Sequence, residues 1–242
     1  MRRGNLFLAA SLGLLLAMPA LATVIDDFSV DDLGNYTSTV ILQNGVNTAA
    51  WQMGGGELGY NTTSYSNVNQ VALIRNGLAL GVGEEVQAAI TRDSGTQDLG
   101  LYVGGVQPTA GVRSTYVSVY ARGPSELYSR GFNGSSELGL EGATPASWDS
   151  LFITRTAIND YELGYYDGAS RNVIVTRSGM TSNDGTYVGF YADIRSAGVL
   201  GTATELSVVP EPSALALGAV AAGAGLFCVR RRRARGFSGS GA

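Results

Sequence analysis

The chain has 242 residues, and its composition already removes several classes of mechanism. It contains no histidine, which excludes Ser-His-Asp and Cys-His catalysis and zinc sites built on imidazole. Its single cysteine, Cys228, excludes a disulfide within the chain. Every basic residue is arginine, and residues 23–209 carry nine of them against 19 acidic residues, a net charge of about −10. Such an acidic stretch is a poor partner for nucleic acid, which needs a basic footprint.

The N-terminus has the three parts of a secretory signal peptide. Two arginines come first, an apolar stretch follows, and small residues then mark a cleavage site: Arg2 and Arg3, 6–17, and Ala20 with Ala22. We therefore expect residues 1–22 to form a signal helix that is removed on export. The paired arginines leave the twin-arginine route open, but the residues after them favour the general secretory route. An uncleaved anchor is the alternative, which the short apolar stretch disfavours.

Residues 23–209 have the pattern of an antiparallel β domain. Short alternating stretches are interrupted by Gly, Asn and Asp, and no long helical period is present. In 188–194, apolar residues alternate with others, which predicts one core face and one face towards water. An Asp-Gly pair predicts a hairpin turn between 161–166 and 172–177. The other predicted strands are 71–75, 78–82, 86–91, 99–103, 114–122, 136–140, 148–155 and 205–209.

Strands of this number and spacing predict a single all-β domain over 23–209, an antiparallel jelly-roll-type β-sandwich. Four of its segments resemble concanavalin A-like sandwiches. They are D-D-F at 26–28, W-D-S-L-F-I-T-R at 148–155, Y-E-L-G-Y-Y-D-G at 161–168 and V-G-F-Y-A-D at 188–193. The resemblance implies the fold of laminin G-like and legume-lectin-like domains and of the glucanases built on the same sandwich. Because this architecture hosts binders, enzymes and spacers, the resemblance implies no particular ligand.

Acidic residues provide a candidate calcium site. Hard cations take several carboxylate and carbonyl oxygens as ligands. Asp26 and Asp27 belong to the first predicted strand and Asp193 to a late one. Since first and last strands of such sandwiches often pair, we expect these three side chains to lie close together. The alternative is that they are solvated acids, and calcium is kept as the candidate cofactor.

Tyrosines are candidates for sugar binding, because sugar rings stack on aromatic faces. The chain has 12 tyrosines against seven phenylalanines. Tyr161, Tyr165 and Tyr166 lead into the predicted hairpin turn and are the candidate ligand-binding residues. Trp51, Tyr60 and Tyr65, in a Gly- and Asn-rich segment, are further candidates. The alternative for every ring is packing on a half-buried strand.

Hydrolysis of a glycoside requires two carboxyl groups about 5–5.5 Å or 6.5–9.5 Å apart. The resemblance implies an E-x-D-x-x-E-type strand in glucanases of this fold, and no segment of the chain matches it. Glu84 and Glu85 are adjacent and would point to opposite faces of a strand, and Glu137 and Glu141 have no acid between them. We therefore predict that the protein is not an enzyme, with a carbohydrate-active enzyme (a glycoside hydrolase) on the same fold as the alternative.

The last 33 residues have three parts in a fixed order. Pro210, Glu211 and Pro212 come first, residues 213–229 carry no charge, and a basic tail spans 230–235. As a helix the apolar part would be about 26 Å long, close to the roughly 30 Å hydrocarbon core of a bilayer, which predicts a transmembrane helix. The arginines after it would hold this end in the cytoplasm. They begin with Arg230, Arg231, Arg232 and Arg233.

This order resembles the PEP-CTERM sorting signal of Gram-negative and related bacteria, a tail type also labelled ice-binding protein C-terminal domain. The resemblance implies processing by an exosortase, a membrane protease-transpeptidase. We therefore predict an exported protein that 210–242 anchors in the membrane and that then reaches the cell surface or the extracellular matrix. We expect a non-catalytic structural or glycan-binding module, with the membrane, an exosortase and polysaccharide as partners and no nucleic acid.

Overall fold

The computed structural model describes residues 22–44, 47–65, 68–91, 98–194 and 198–210. The predicted signal peptide, apart from Ala22, and the predicted sorting tail, apart from Pro210, lie outside these residues. Within the ranges that are described, no helix is both long enough and apolar enough to cross a membrane.

Strands make up most of the described chain, which confirms the all-β class. One short 3-10 helix, Leu33–Asn35, precedes the second strand. The sixteen strands within the described residues are β1 Thr23–Asp26, β2 Tyr36–Gln43, β3 Asn47–Gly54, β4 Glu57–Tyr65, β5 Asn69–Arg75, β6 Glu85–Thr91, β7 Asp98–Gly104, β8 Tyr116–Arg122, β9 Leu127–Asn133, β10 Ser136–Glu137, β11 Glu141–Ala143, β12 Ser150–Ala157, β13 Asp160–Asp167, β14 Ser170–Arg177, β15 Tyr187–Ile194 and β16 Gly198–Val209.

The strands form two sheets in which every pair is antiparallel. Sheet 1 has the order β14-β13-β12-β6-β16-β4-β3, and β1 also pairs with β16. Sheet 2 has the order β10-β9-β8-β7-β15-β5-β2, and β11 also pairs with β9. The prediction of an antiparallel β-sandwich is therefore confirmed.

A large apolar core lies between the two sheets. Alternate residues of a strand point to the same face, and in β15 these are Val188, Phe190, Ala192 and Ile194. Phe190 meets Phe28 edge to face, with the ring centroids 5.8 Å apart. Burying a side chain of this size contributes about 1.5–3 kcal/mol. Since residues 22–210 contain no cysteine, this burial stabilises the sandwich without any disulfide.

One predicted strand, 78–82, is wrong, because the chain makes a turn there. The Leu78 N–H donates to the Arg75 carbonyl at 3.2 Å, and the Leu80 N–H donates to the Gly185 carbonyl at 2.9 Å. Leu80 is almost completely buried in the core. The segment is therefore a loop, and its apolar residues pack against one end of the core.

The second face of β15 is not the wet face that its alternation predicts. Tyr191 and Asp193 point away from the core, yet both are fully buried. Tyr191 belongs to a second buried cluster, separate from the core between the sheets. Sheet 2 therefore carries buried side chains on both of its faces, and polar groups collect on the outer one.

We expect Phe190→Ala to lower the free energy of unfolding by about 3–5 kcal/mol, because it leaves a cavity between the sheets. Urea denaturation followed by fluorescence measures this loss. The control is Ile158→Ala, since Ile158 is 73% exposed and its truncation should change the free energy of unfolding by less than about 0.5 kcal/mol. Equal losses in the two variants would contradict the assignment of Phe190 to the core.

Candidate functional site

The outer face of sheet 2 carries a dense group of aromatic rings, which we call the tyrosine face. Alternate residues of four strands build it, so rings that are distant in the sequence become neighbours. Its members are Tyr102 on β7, Tyr116 and Tyr120 on β8, Tyr128 and Phe132 on β9, and Tyr187 and Tyr191 on β15. Half of the 12 tyrosines of the chain thus share one surface.

Small residues between the large ones let these rings meet. Gly100 lies between Tyr120 and Tyr191 in the strand register, and the two ring centroids approach to 5.3 Å across it. Tyr102 stacks on Tyr116, with the centroids 4.9 Å apart and 22° between the ring planes. A Cβ at Gly100 would lie 2.0 Å from a carbonyl oxygen of the neighbouring strand. This position therefore requires glycine.

Three hydroxyls of the tyrosine face, those of Tyr116, Tyr120 and Tyr191, are buried without a hydrogen-bond partner among the described residues. Tyr191 is near enough to Arg130 to interact electrostatically, but the two make no hydrogen bond of normal geometry. Burial raises the pKa of all three tyrosines above the ordinary value, so their hydroxyls stay protonated and can donate. An unpaired buried hydroxyl costs about 1–3 kcal/mol. The face thus keeps hydrogen-bond donors at the expense of stability.

Two buried acids lie at one end of this face. Asp98 on β7 and Asp193 on β15 are opposite each other in the strand register, and both are fully buried. The Arg122 guanidinium donates to the two carboxylate oxygens of Asp98 at 3.0 and 2.8 Å. Asp193 accepts hydrogen bonds from Arg130 and from the Gln70 amide, each at 3.2 Å. Aromatic rings, neutral hydroxyls and fixed charges are therefore combined on one surface.

A loop that follows β7 packs against the tyrosine face. Residues 105–115 leave β7 and reach β2, where the Gly111 N–H donates to the Val40 carbonyl at 2.9 Å. The Arg113 guanidinium of this loop lies over the Phe132 ring, 4.7 Å from its centroid. The loop thus begins at the Gly104 end of β7, and its Gly111 reaches Val40, which lies in the strand row next to Asp193 and Asp98.

The three tyrosines predicted to bind ligand do not share a surface. Tyr161 is fully buried in the core, where its hydroxyl donates to the side-chain oxygen of Asn183 at 3.0 Å. Tyr165 packs against the same core. Tyr166 lies on the outer face of sheet 1, where its hydroxyl donates to Glu85 at 2.8 Å. The predicted hairpin is present, but strand alternation sends these rings to two different faces.

A polar network on sheet 1 already uses the groups around Tyr166. Glu85 accepts hydrogen bonds from Tyr166, Thr154 and Arg171. Arg171 in turn pairs with Glu162 at 2.9 Å. This network joins strands β6, β12, β13 and β14, so its observed role is structural.

Two of the other aromatic candidates, Trp51 and Tyr60, are core residues, and the side chain of Tyr65 lies outside what the structure describes. Trp51 and Tyr60 are buried and meet edge to face, with their ring centroids 4.8 Å apart. Both belong to the cluster between the two sheets. For these two rings, packing on a half-buried strand is the correct alternative.

The acids predicted to bind calcium are divided between the two sheets. Asp26 ends β1, which pairs with β16 in sheet 1, whereas Asp193 lies on β15 of sheet 2. The expectation that their strands are neighbours is therefore wrong. Asp26 accepts a hydrogen bond from the Tyr36 hydroxyl at 2.8 Å, and Asp27 accepts one from the Ser29 N–H at 3.0 Å. In the part of the chain that the structure describes, no three acidic or thiol side chains are grouped to hold a metal ion. The three residues do not fit a calcium site.

Two residues of the predicted processing signals are described, Ala22 and Pro210, and both are exposed. Strand β16 ends at Val209, directly before the Pro-Glu-Pro tripeptide. The other predicted sorting and cleavage residues lie outside the described part of the chain, and their roles stay predictions. They are Ala20, Glu211, Pro212, Arg230, Arg231, Arg232 and Arg233.

Sequence reasoning misses the tyrosine face, although a signal for it exists. Residues 116–122 read Y-V-S-V-Y-A-R, in which aromatic and polar residues alternate with small apolar ones. The segments Y-S-R-G-F at 128–132 and Y-V-G-F-Y-A-D at 187–193 show the same alternation. When several strands place aromatic rings on the same face as an arginine or aspartate, that face is expected to be specialised for binding rather than simply exposed to solvent.

Comparison with solved structures shows that the fold is that of lectin-like sandwiches. The legume lectin-like domain from Entamoeba histolytica superposes with a TM-score of 0.54 at 8% identity, covering 81% of this chain and 99% of that one. The carbohydrate recognition domain of Emp46p gives a TM-score of 0.52 at 9% identity, covering 81% of this chain and 99% of that one.

The exoplasmic/lumenal domain of VIP36, in its Ca²⁺/Man3GlcNAc-bound form, is also similar. It gives a TM-score of 0.51 at 10% identity, covering 77% of this chain and 86% of that one. At these identities the likeness shows the fold alone. No family model matches the chain, and no curated protein matches it in sequence.

We expect Tyr120→Phe to leave the free energy of unfolding unchanged or to raise it by up to about 1 kcal/mol, because it removes a buried hydroxyl that has no partner among the described residues. Tyr161→Phe is the matched control. It deletes a hydroxyl that is bonded to Asn183, so it should lower the free energy of unfolding by about 1 kcal/mol. Urea denaturation measures the free energy of unfolding of both variants. Equal losses of unfolding free energy would show that the Tyr120 hydroxyl is paired in the folded protein.

Proposed function

We propose that this chain is an exported bacterial surface or matrix protein whose sandwich binds glycan on the tyrosine face and catalyses no reaction. The observation that carries the proposal is the set of buried hydroxyls of Tyr116, Tyr120 and Tyr191, which have no partner within the described ranges and lie beside two acid–arginine pairs. Buried polar groups without partners are rare in folded proteins and call for an explanation. A ligand rich in hydroxyl groups would supply the missing partners once the cover over these three side chains, which are at most 1% exposed, opens.

The chemistry of the face matches that of a sugar. A sugar ring presents C–H groups to aromatic rings and hydroxyls that both donate and accept hydrogen bonds. The tyrosine hydroxyls and the Gln70 amide can donate, while Asp98 and Asp193 can accept. The Man3GlcNAc-bound form of VIP36, which has a similar fold, supports the choice of glycan as the ligand class.

The alternative function, a glycoside hydrolase, would use the same acids. Asp98 and Asp193 are cross-strand neighbours, and two nearby carboxyl groups are what a glycosidase requires. Such an enzyme needs one carboxyl group that carries a proton to the leaving oxygen. Each of these carboxylates instead pairs with an arginine, an arrangement typical of the ionised form. This supports a binding role over a catalytic one.

Sorting by the PEP-CTERM tail is the second half of the proposal. Residues 1–22 serve as the signal peptide, 213–229 as the membrane helix and 230–235 as the cytoplasmic basic tail. The end of β16 at Val209, directly before Pro210, supports this division. An exosortase would then act on a segment that leaves the folded domain intact.

We expect Tyr120→Phe and Tyr191→Phe to weaken glycan binding by about tenfold each, the effect of losing one hydrogen bond worth about 1.4 kcal/mol. Tyr161→Phe should bind like the wild type, since that hydroxyl lies in the core. The measurement is isothermal titration against a polysaccharide panel that includes the host matrix, with an assay for new reducing ends in the same samples. A folded wild-type protein that binds no polysaccharide would contradict the proposal, and release of reducing ends would favour the hydrolase.

Deletion of residues 210–242 should release the sandwich into the culture medium, because both the tripeptide and the membrane helix are then lost. Immunoblots of cell and medium fractions measure the distribution, with the full-length chain as the control. A truncated chain that stays on the cells would contradict anchoring by the tail.

A further inference from the structure

Asp98 and Asp193 create an electrostatic conflict on the tyrosine face. They are directly opposite each other on adjacent strands, where Cβ atoms lie about 4.5–5.5 Å apart and like charges repel. Both side chains are fully buried, and a buried charge is tolerated only when an opposite charge compensates it. The fold must therefore bring positive charge to this pair, either as side chains or as a metal ion.

Two arginines bring that charge. Arg122 is the register partner of Asp98 on β8 and holds it through two hydrogen bonds of 3.0 and 2.8 Å. Arg130 reaches Asp193 from β9 at 3.2 Å. Two acids thus face two guanidinium groups, and the formal charges of these four side chains cancel.

Both arginines are themselves held by neighbours. The Arg122 guanidinium lies over the Tyr128 ring, 4.7 Å from its centroid. Arg130 also pairs with Glu137 at 3.1 Å. The hydrogen bond to Asp98 raises the pKa of Arg122, so this guanidinium is permanently charged. Each arginine is therefore a fixed part of the site, unlike an ion that exchanges with solvent.

We propose that Arg122 and Arg130 take the place of a divalent cation in this site, holding both acids ionised and oriented, so that glycan binding at the tyrosine face needs no calcium. The inference rests on the function proposed above. A calcium ion takes roughly six to eight oxygen ligands. To reach these acids it would have to approach two guanidinium groups, which repel it strongly at contact distance.

The test uses the full chain and two independent measurements, thermal unfolding and glycan titration, each with millimolar Ca²⁺ and with a chelator. For the wild type we expect melting temperatures that agree within about 1 °C and dissociation constants that agree within about twofold. A lower melting temperature or weaker glycan binding in chelator would overturn the inference.

Arg122→Gln should create the calcium dependence that the wild type lacks. Among the described residues it leaves two adjacent buried acids with one compensating arginine, so Ca²⁺ should raise the melting temperature by about 4 °C or more. Tb³⁺ should also gain emission sensitised by the surrounding tyrosines. Arg155→Gln is the matched control, because it removes the same charge from a side chain that donates to the carbonyls of Leu80 and Asp184 and that pairs with no acid in the part of the chain that the structure describes. An Arg122→Gln protein whose melting temperature does not change with Ca²⁺ would overturn the inference.

Arg122→Lys covers the case in which Arg122→Gln does not fold. It keeps the charge but loses the two-pronged contact, so it should melt at a lower temperature and still ignore Ca²⁺. A calcium response in this variant would count against the proposal. If the wild type binds no glycan but its melting temperature ignores Ca²⁺ and Arg122→Gln responds, the proposed function fails while the role of the arginines stands.

Discussion

The rest of the structure depends on the alternation of side chains along the strands of sheet 2. The same strands contribute one set of residues to the core between the sheets and the other set to the tyrosine face. In β8, Val117 and Val119 enter the core, while Tyr116, Tyr120 and Arg122 point to the outer face. A register shift of one residue would exchange the two sets and place a guanidinium in the core. The packing that seals the sandwich therefore also aligns the rings and charges of the candidate site.

The two outer faces of the sandwich differ in how completely they satisfy their polar groups. On sheet 1, Glu85 accepts four hydrogen bonds and links the surrounding strands. On sheet 2, three hydroxyls have no partner among the described residues, and the acids are buried in ion pairs that an apolar replacement could match in stability. Local rules of stability are most often broken at functional sites. This contrast is the physical reason for placing function on sheet 2.

Features that depend on residues close together in the chain, such as strands and turns, are predicted from the sequence. Features that depend on contacts between distant residues are not. Strands β13, β14 and β15 follow from local alternation and an Asp-Gly turn, whereas the segment 78–82 looks like a strand because a loop uses apolar residues to close the core. Alternation assigns a residue to a face, but it does not say which sheet or which neighbours that face meets. Asp193 pairs with Arg130, 63 residues away, and no local pattern encodes that contact. Tyr161 is a misleading candidate for the same reason, since its ring is buried in the core and its hydroxyl donates to Asn183, 22 residues away.

The position of β16 has a consequence for the order in which the protein forms. This strand is the last in the described chain, yet it lies inside sheet 1 between β6 and β4, and Val209 itself pairs with Glu85. Sheet 1 cannot close before that residue is available, and contacts over such sequence separations form slowly. A chain that crosses a membrane unfolded would therefore complete its sandwich only after the last residue of β16, Val209, has crossed. The sandwich would then become complete directly before the proposed sorting segment, which begins at Pro210.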